Sequence, residues 1–387
     1  MLSEKSRPTI EATLPIIGER IGHITPRFYK RMFDAHPELL DGIFSTNNQK
    51  TGYQPKALAG SIAVFASHLV QNPGTLPEAL LSRIAHKHTS LGILPEQYNI
   101  VYENLFAAIV EDLGDAITPE VAEAWTEVYW LMADALIKLE RDLYAQQANN
   151  KIWAPWRVVS KTATTKHTHS FVLEPADDTP VTPSLPGQYV SVKVKLPSGI
   201  HQARQYTLTA NGANERSFTT KRDDEGEVSP LLHNDIQVGD VVQVSNPYGD
   251  VVLDSGEHPV VFASAGIGCT PTAAMIRTLA DSDSKRDVVV LHADHRPEEW
   301  ALSEQIRSDL ERLSNATLHT WLGEDTGEQS HSGHMSLSDI TLPDDASVYI
   351  CGPLPFMKKI REEALAAGIP AHRVHYEIFG PDVWQVS

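Results

Sequence analysis

Three stretches of the 387-residue chain place chemically useful side chains at spacings that local structure can exploit. In the first, Gln54, Leu58, Ile62, Phe65 and Leu69 recur at helical intervals, so a polar head ends an otherwise apolar stripe. Further on, Leu80, Ile84, His88 and Leu91 share one helix face, while His86 points roughly 160° away from His88 at about 100° per residue. A histidine alone on an apolar face is ordinarily a hydrogen-bonded core residue. Here Tyr29, Phe44 and Gln54 precede it on successive elements. That order is what a haem sandwiched between two helices needs.

The second stretch is Arg204-Gln205-Tyr206-Thr207-Leu208-Thr209. It could be one more strand with a polar edge. Arginine two residues before tyrosine nevertheless puts both on one strand face, where a guanidinium can grip pyrophosphate while the phenol ring lies against an aromatic system. In the third, PVVFASA runs into Gly266-Ile267-Gly268-Cys269-Thr270-Pro271 and then into a helical pattern. Glycines also make ordinary turns, but this placement suits a dinucleotide pyrophosphate, because a helix N-terminus supplies amides and a positive dipole end.

Residues 1–150, which must position the first group, read as helices. Thr25-Pro26 predicts a helix start before RFYKRMF, and another begins near Gln54-Pro55. Two more carry Tyr98, Val101, Leu105 and Ala108, and Trp125, Val128, Met132, Ala135 and Leu139. Polar AQQANN followed by Pro155 predicts a boundary near residue 150. Beyond it, Val190, Val192, Val194 and Leu196 alternate with Ser191, Lys193 and Lys195, which predicts a half-exposed strand. With the runs around Trp156, Tyr206, Phe218 and Val241 it predicts an antiparallel barrel or sandwich. PVVFASAG, DVVVLHAD and ASVYICGP, separated by helical stretches such as TPTAAMIRTLA, predict a parallel α/β sheet.

Lys plus Arg total 32 against 50 Asp plus Glu, a formal net charge of −18 that offers nucleic acid or an anionic membrane nothing to attract. Cys269 and Cys351 are the only cysteines, which excludes a disulfide framework or a Cys-rich metal site and fits a reducing cytosol. No stretch nears the roughly 18 apolar residues of a bilayer span, so neither signal peptide nor membrane anchor is expected.

The segments FYKRMF, GIFSTNN, GYQPKAL and AHKHTSLGILPEQYNIVYENL, with the Glu140 region, together resemble the globin domain of bacterial and yeast flavohaemoglobins. RQYTLT, with PGQY and GEVSPLLH, resembles the flavin-binding signature of the ferredoxin-reductase family. YICGP and YEIFGP resemble the nicotinamide-side motifs of the same reductases. The resemblance covers essentially the whole chain. It implies an all-α globin haem domain over 1–150, an antiparallel β-barrel FAD domain over 151–258 and an α/β parallel-sheet NAD(P)H domain over 259–387.

By that resemblance His88 is the proximal ligand of haem b, with Tyr98 and Glu140 on its other nitrogen. A carboxylate there pushes electron density to the iron and favours redox chemistry over reversible oxygen carriage. Read without the resemblance, Glu140 is a solvated helix charge like Arg141 and Asp142. Tyr29 and Gln54 line the distal side, and Phe44, Leu58 and Lys87 complete the haem pocket. Tyr189, Arg204, Gln205, Tyr206 and Thr207 bind FAD, Val228 and Ser229 offer amides to its phosphate, and Phe379 shields the flavin. Gly266, Gly268, Thr270, Pro271, Cys351, Gly352 and Pro353 bind NADH or NADPH. Where the family usually has glutamine this chain has Cys269, either a reactive thiol or a small packed side chain.

The implied activity is that of a monomeric cytoplasmic nitric oxide dioxygenase, 2 NO + 2 O₂ + NAD(P)H giving 2 nitrate + NAD(P)⁺ + H⁺, with electrons passing from NAD(P)H through FAD to haem iron. Two rival readings are a haem oxygen-binding or sensing protein, and a flavin-dependent reductase of ferric iron, quinones or peroxides. His292, Asp294 and Arg296 offer both an acid and a base near the expected ribose, which leaves NADH and NADPH both open.

Overall fold

The computed structural model describes residues 1–44, 52–212, 214–323, 330–380 and 384, the side chains of Tyr53 and Asn211 excepted. It holds two compact units, Met1–Trp153 with Lys193–Ala203, and Ala154–Val192 with Arg204–Gly380.

The first unit is helical: α1 (Arg7–Ala35), α2 (Tyr53–Gln71), α3 (Glu78–Leu91), α4 (Pro95–Leu113) and α5 (Pro119–Ala145). Prolines at the first positions of α4 and α5 are preorganised for helix and cost no hydrogen bond there. Ile24, Phe28 and Met32 of α1, Phe65 and Leu69 of α2 and Trp125 of α5 join one buried core. That core overrides the start expected at Thr25-Pro26. Helix α1 runs straight through Pro26, with buried apolar side chains before and after it, and Thr25 Oγ1 donates back to the Ile21 carbonyl at 3.0 Å. Packing on both sides outweighs the one lost amide donor.

The stripe expected on α3 also shifts. Its fully buried positions are Leu81, Ala85, Thr89 and Ser90, whereas Leu80, Ile84, His88 and Leu91 stay half-buried. That face is apolar without being core.

Beyond the helices, β1 (Ala154–Thr165), β2 (Thr168–Pro175), β3 (Tyr189–Lys195), β4 (His201–Gly212), β5 (Glu215–Lys221) and β6 (Val241–Val244) close a barrel in the order β1-β2-β5-β4-β3-β6. A short helix, α6 (Val228–Asn234), follows β5. Strand β3 is less open than its alternation predicts. Ser191 is fully buried, because its backbone amide donates to Ser245 Oγ and its hydroxyl accepts from Gln205 Nε2.

Five parallel strands follow, β7 (Val260–Ala265), β8 (Val288–Ala293), β9 (Ala316–Trp321), β10 (Ser347–Cys351) and β11 (Val374–Glu377), ordered β11-β10-β7-β8-β9. Helices α7 (Cys269–Asp281), α8 (Ser303–Glu311) and α9 (Leu354–Ala366) alternate with them. Strands β7, β8 and β10 match the expected apolar runs. The flanking β9 and β11 carry polar residues such as His319 and His375, so their pattern is diluted.

Candidate functional site

Three helices converge on His88. Its Nδ1 lies 2.8 Å from Glu140 Oε1 and 3.0 Å from the Tyr98 hydroxyl, and that hydroxyl donates to the same Glu140 oxygen at 2.5 Å. Glu140 is 2% exposed although Arg141 and Asp142 beside it face solvent. An acceptor-only carboxylate fixes the imidazole with its proton on Nδ1, and thereby turns Nε2 into the free electron pair. Burial first, then the Glu140 charge, push the Tyr98 hydroxyl well above the usual tyrosine range, so it stays protonated and donates.

Tyr29, from α1, is buried and hydrogen-bonded to Gln54 at the start of α2. Burial raises its hydroxyl pKa, and the Gln54 contact only partly offsets this. Its ring lies 5.9 Å from Phe44 and 5.7 Å from Phe33, a residue that the sequence pattern did not single out. Leu58 is half-buried one turn along α2, and Lys87 is half-buried beside His88. The residues fit a haem. One imidazole nitrogen is held and the other has no hydrogen-bond partner among the described residues, on a helix face whose apolar neighbours Leu80 and Ile84 are half-buried.

On β4, Arg204 and Tyr206 interact electrostatically from the same strand face, and Tyr206 stacks on Phe218 at 5.2 Å and 13°. Burial pulls the Arg204 guanidinium below its usual range against the pull of Tyr206, Glu227 and Asp223. Thr207 is buried, and so is Tyr189, with Gly249 packed on its ring so closely that a Cβ at 249 would sit 3.2 Å away. Val228 and Ser229 occupy the first turn of α6, with Ser229 Oγ accepting from the Asp223 amide at 3.0 Å. A half-buried cation and an aromatic ring on one barrel face fit the pyrophosphate and ring system of a flavin nucleotide. Phe379 is exposed.

In the parallel sheet, Gly266 takes φ +55° where β7 turns toward α7, and Thr270 and Pro271 lie buried in the first turn of that helix. Strand β10 pairs with β7 so that Cys351 faces Ser264, and a Cβ on Gly268 would sit 2.4 Å from the Cys351 carbonyl oxygen. The glycine turn and the CGP segment (Cys351, Gly352, Pro353) therefore meet at the carboxyl ends of two strands, where open parallel sheets bind nucleotides. Cys269 is fully buried, donates to the Ala301 carbonyl and has its thiol pushed up to about 12 by burial. It is a packed side chain.

The acid and base expected near the ribose separate. His292 is fully buried, bonded through Nδ1 to Ser264 Oγ and stacked on Trp300 at 4.5 Å, and the side chain of the acid, Asp294, is only 3% exposed, while Arg296 is exposed. Of the three, only Arg296 presents a charge at the surface.

Tyr129 was not anticipated. Its hydroxyl donates to the Tyr98 carbonyl at 2.6 Å, bracing α4 where it reaches His88. Eleven residues before Glu140 at about 100° per residue puts both on one face of α5, a signal present in the spacing.

Residues 26–136 match the globin family, 155–253 the oxidoreductase FAD-binding domain and 262–362 the oxidoreductase NAD-binding domain. The chain is 38% identical over 406 residues to a flavohemoprotein of Rhizobium meliloti, covering 99% of this chain and 100% of that one. It is 40% identical over 405 residues to one from Halalkalibacterium halodurans, covering 98% and 97%. A crystal structure of flavohemoglobin from Malassezia yamatoensis with bound FAD and heme superposes with TM-score 0.94 at 45% identity, over 98% of this chain and all of that one. The FAD/NAD-binding domain of nitric oxide dioxygenase from Vibrio cholerae gives TM-score 0.56 at 33% identity, over 60% of this chain and all of that domain. Fold and site define a globin joined to a flavin- and nicotinamide-binding oxidoreductase module of the ferredoxin-reductase type. The chain belongs to the flavohaemoprotein family.

Proposed function

We infer that this chain is a nitric oxide dioxygenase that turns two NO and two O₂ into two nitrates for each NAD(P)H oxidised. The observation that carries the reading is the buried Glu140 oxygen shared by His88 Nδ1 and the Tyr98 hydroxyl. When bound, the nicotinamide supplies an electron pair, FAD divides it into single electrons, and haem delivers them to oxygen.

The protein's own part is orientation and charge. Glu140 and Tyr98 hold the His88 ring by Nδ1, which leaves Nε2 as the nitrogen that would ligate haem iron, and the carboxylate makes that nitrogen a stronger donor. Tyr29 and Gln54 bring a protonated hydroxyl and an amide together, and these would donate hydrogen bonds to a ligand that gains negative charge when haem is bound. Arg204 and Tyr206 bind the FAD pyrophosphate and ring, with Tyr189, Gln205, Thr207, Val228 and Ser229 around them and Phe379 covering the flavin. Gly266, Gly268, Thr270, Pro271, Cys351, Gly352 and Pro353 hold the nicotinamide nucleotide. In this reading the functional segments are 1–150, 151–258 and 259–387, and the enzyme works as a cytoplasmic monomer. No helix among the described residues is long and apolar enough to cross a membrane.

An NO electrode tests the proposal. Aerobic NO removal by the haem- and FAD-loaded protein should require NAD(P)H and be lost in His88→Ala. NO removal that persists without the histidine would overturn it.

A further inference from the structure

We propose that Asp294, His295 and Glu299, at the carboxyl end of β8, form a binding site for a divalent transition-metal cation such as Zn²⁺. One ligand atom from each residue lies within 4.8 Å of the other two. His295 Nδ1 is 3.6 Å from Asp294 Oδ1 and 3.9 Å from Glu299 Oε2. Donors around tetrahedral zinc are about 3.5 Å apart, so small side-chain adjustments bring all three onto one ion. An imidazole with two carboxylates selects zinc, nickel or copper over magnesium or calcium, which prefer all-oxygen sites.

The loop is built to hold this arrangement. The Asp294 amide donates to the Trp321 carbonyl at 3.1 Å, and the His295 amide donates to Asp294 Oδ1 at 2.9 Å. Gly323, at φ +66°, lets the end of β9 approach the His295 carbonyl, where a Cβ would sit 2.7 Å away. A single 3-10 turn over Pro297–Glu299 brings Glu299 back under His295, and buried Trp300 anchors the far end.

A second, independent observation points to a ligand. His292 is fully buried, its Nδ1 is taken by Ser264, and its Nε2 has no hydrogen-bond partner among the described residues but faces Asp294 Oδ2 at 3.9 Å. A buried imidazole behind a carboxylate is the outer-layer arrangement that orients metal ligands. If Asp294 turns Oδ1 to a cation, Oδ2 can close on His292 and satisfy that nitrogen. None of these residues belongs to the haem or flavin sites, while His292 and Asp294 are two of the three expected near the nicotinamide ribose.

Equilibrium dialysis of the haem- and FAD-loaded protein against Zn²⁺, with bound zinc measured by atomic absorption, tests the site. The exposed His295 and the partly exposed Glu299 can be changed without disturbing the core. The expected result is one zinc per chain that disappears in His295→Ala and binds at least tenfold more weakly in Glu299→Gln. His319 and His331, 3.1 Å apart, offer zinc another pair of nitrogens, so only zinc lost with His295 counts. Equal zinc content in the parent and both variants, or no zinc retained by any of them, would overturn the assignment.

Discussion

Glu140 Oε1 lies 2.8 Å from His88 Nδ1, and the same oxygen accepts the Tyr98 hydroxyl at 2.5 Å. One buried carboxylate oxygen thus sets both the tautomer and the orientation of the imidazole, and the low dielectric around it strengthens both hydrogen bonds.

Glu140→Gln keeps the shape and removes the charge. The haem midpoint potential should rise, and NO turnover should fall roughly 10- to 100-fold, the usual cost of losing a partner behind a metal ligand. Spectroelectrochemistry on the loaded protein reads the first effect. An unchanged potential would mean that the carboxylate does not act through His88.

Tyr29→Phe removes the buried hydroxyl that pairs with Gln54. Oxygen should be released faster in stopped flow and NO turnover should drop, while reduction of a dye through the flavin stays at its original rate. Equal NO turnover in variant and parent would remove Tyr29 from the mechanism.

Much of this site was legible in the residues themselves. His88 and Gln54 stood out because helical spacing put a polar group at a defined place on an apolar stripe. The burial of Glu140 could not be read that way, because Arg141 and Asp142 flank it and only the packing of α5 against α3 and α4 decides which of the three turns inward. Pro26 misled for the same reason: local preference favours a helix start, and buried Ile24 and Phe28 carry the helix through it. Ser191 looked solvent-facing because its alternation with valines is correct, but its partners Ser245 and Gln205 come from distant parts of the chain.

Gly268→Ala should uncouple the nicotinamide side. A methyl group 2.4 Å from the Cys351 carbonyl forces the turn away from β10, at a cost of about 1–3 kcal/mol. The expected outcome is a raised KM for NAD(P)H in dye reduction and a lowered Tm, with the haem spectrum unchanged. A normal KM would show that the turn tolerates the shift.

Acid should weaken the protein through His233. Its ring Nδ1 lies 2.9 Å from His169 Nδ1 and its Nε2 lies 2.8 Å from Thr220 Oγ1. Burial first, then His169, hold it down to about 4. The folded value lies below the unfolded one of about 6.5, so the folded state binds fewer protons and stability falls as pH drops below 6.5, by about 2 kcal/mol at pH 5. Urea midpoints at pH 7 and pH 5 should differ more in the parent than in His233→Gln. Parallel losses in the two proteins would assign the acid sensitivity to other groups.

The most direct test of the central claim is nitrate measured against NAD(P)H oxidised while the haem- and FAD-loaded protein consumes NO in air. Two nitrates per NAD(P)H, abolished by His88→Ala, is the predicted result. NAD(P)H oxidation that continues at full rate with negligible nitrate would contradict it and would make the helical domain's pocket something other than the place where NO is oxidised.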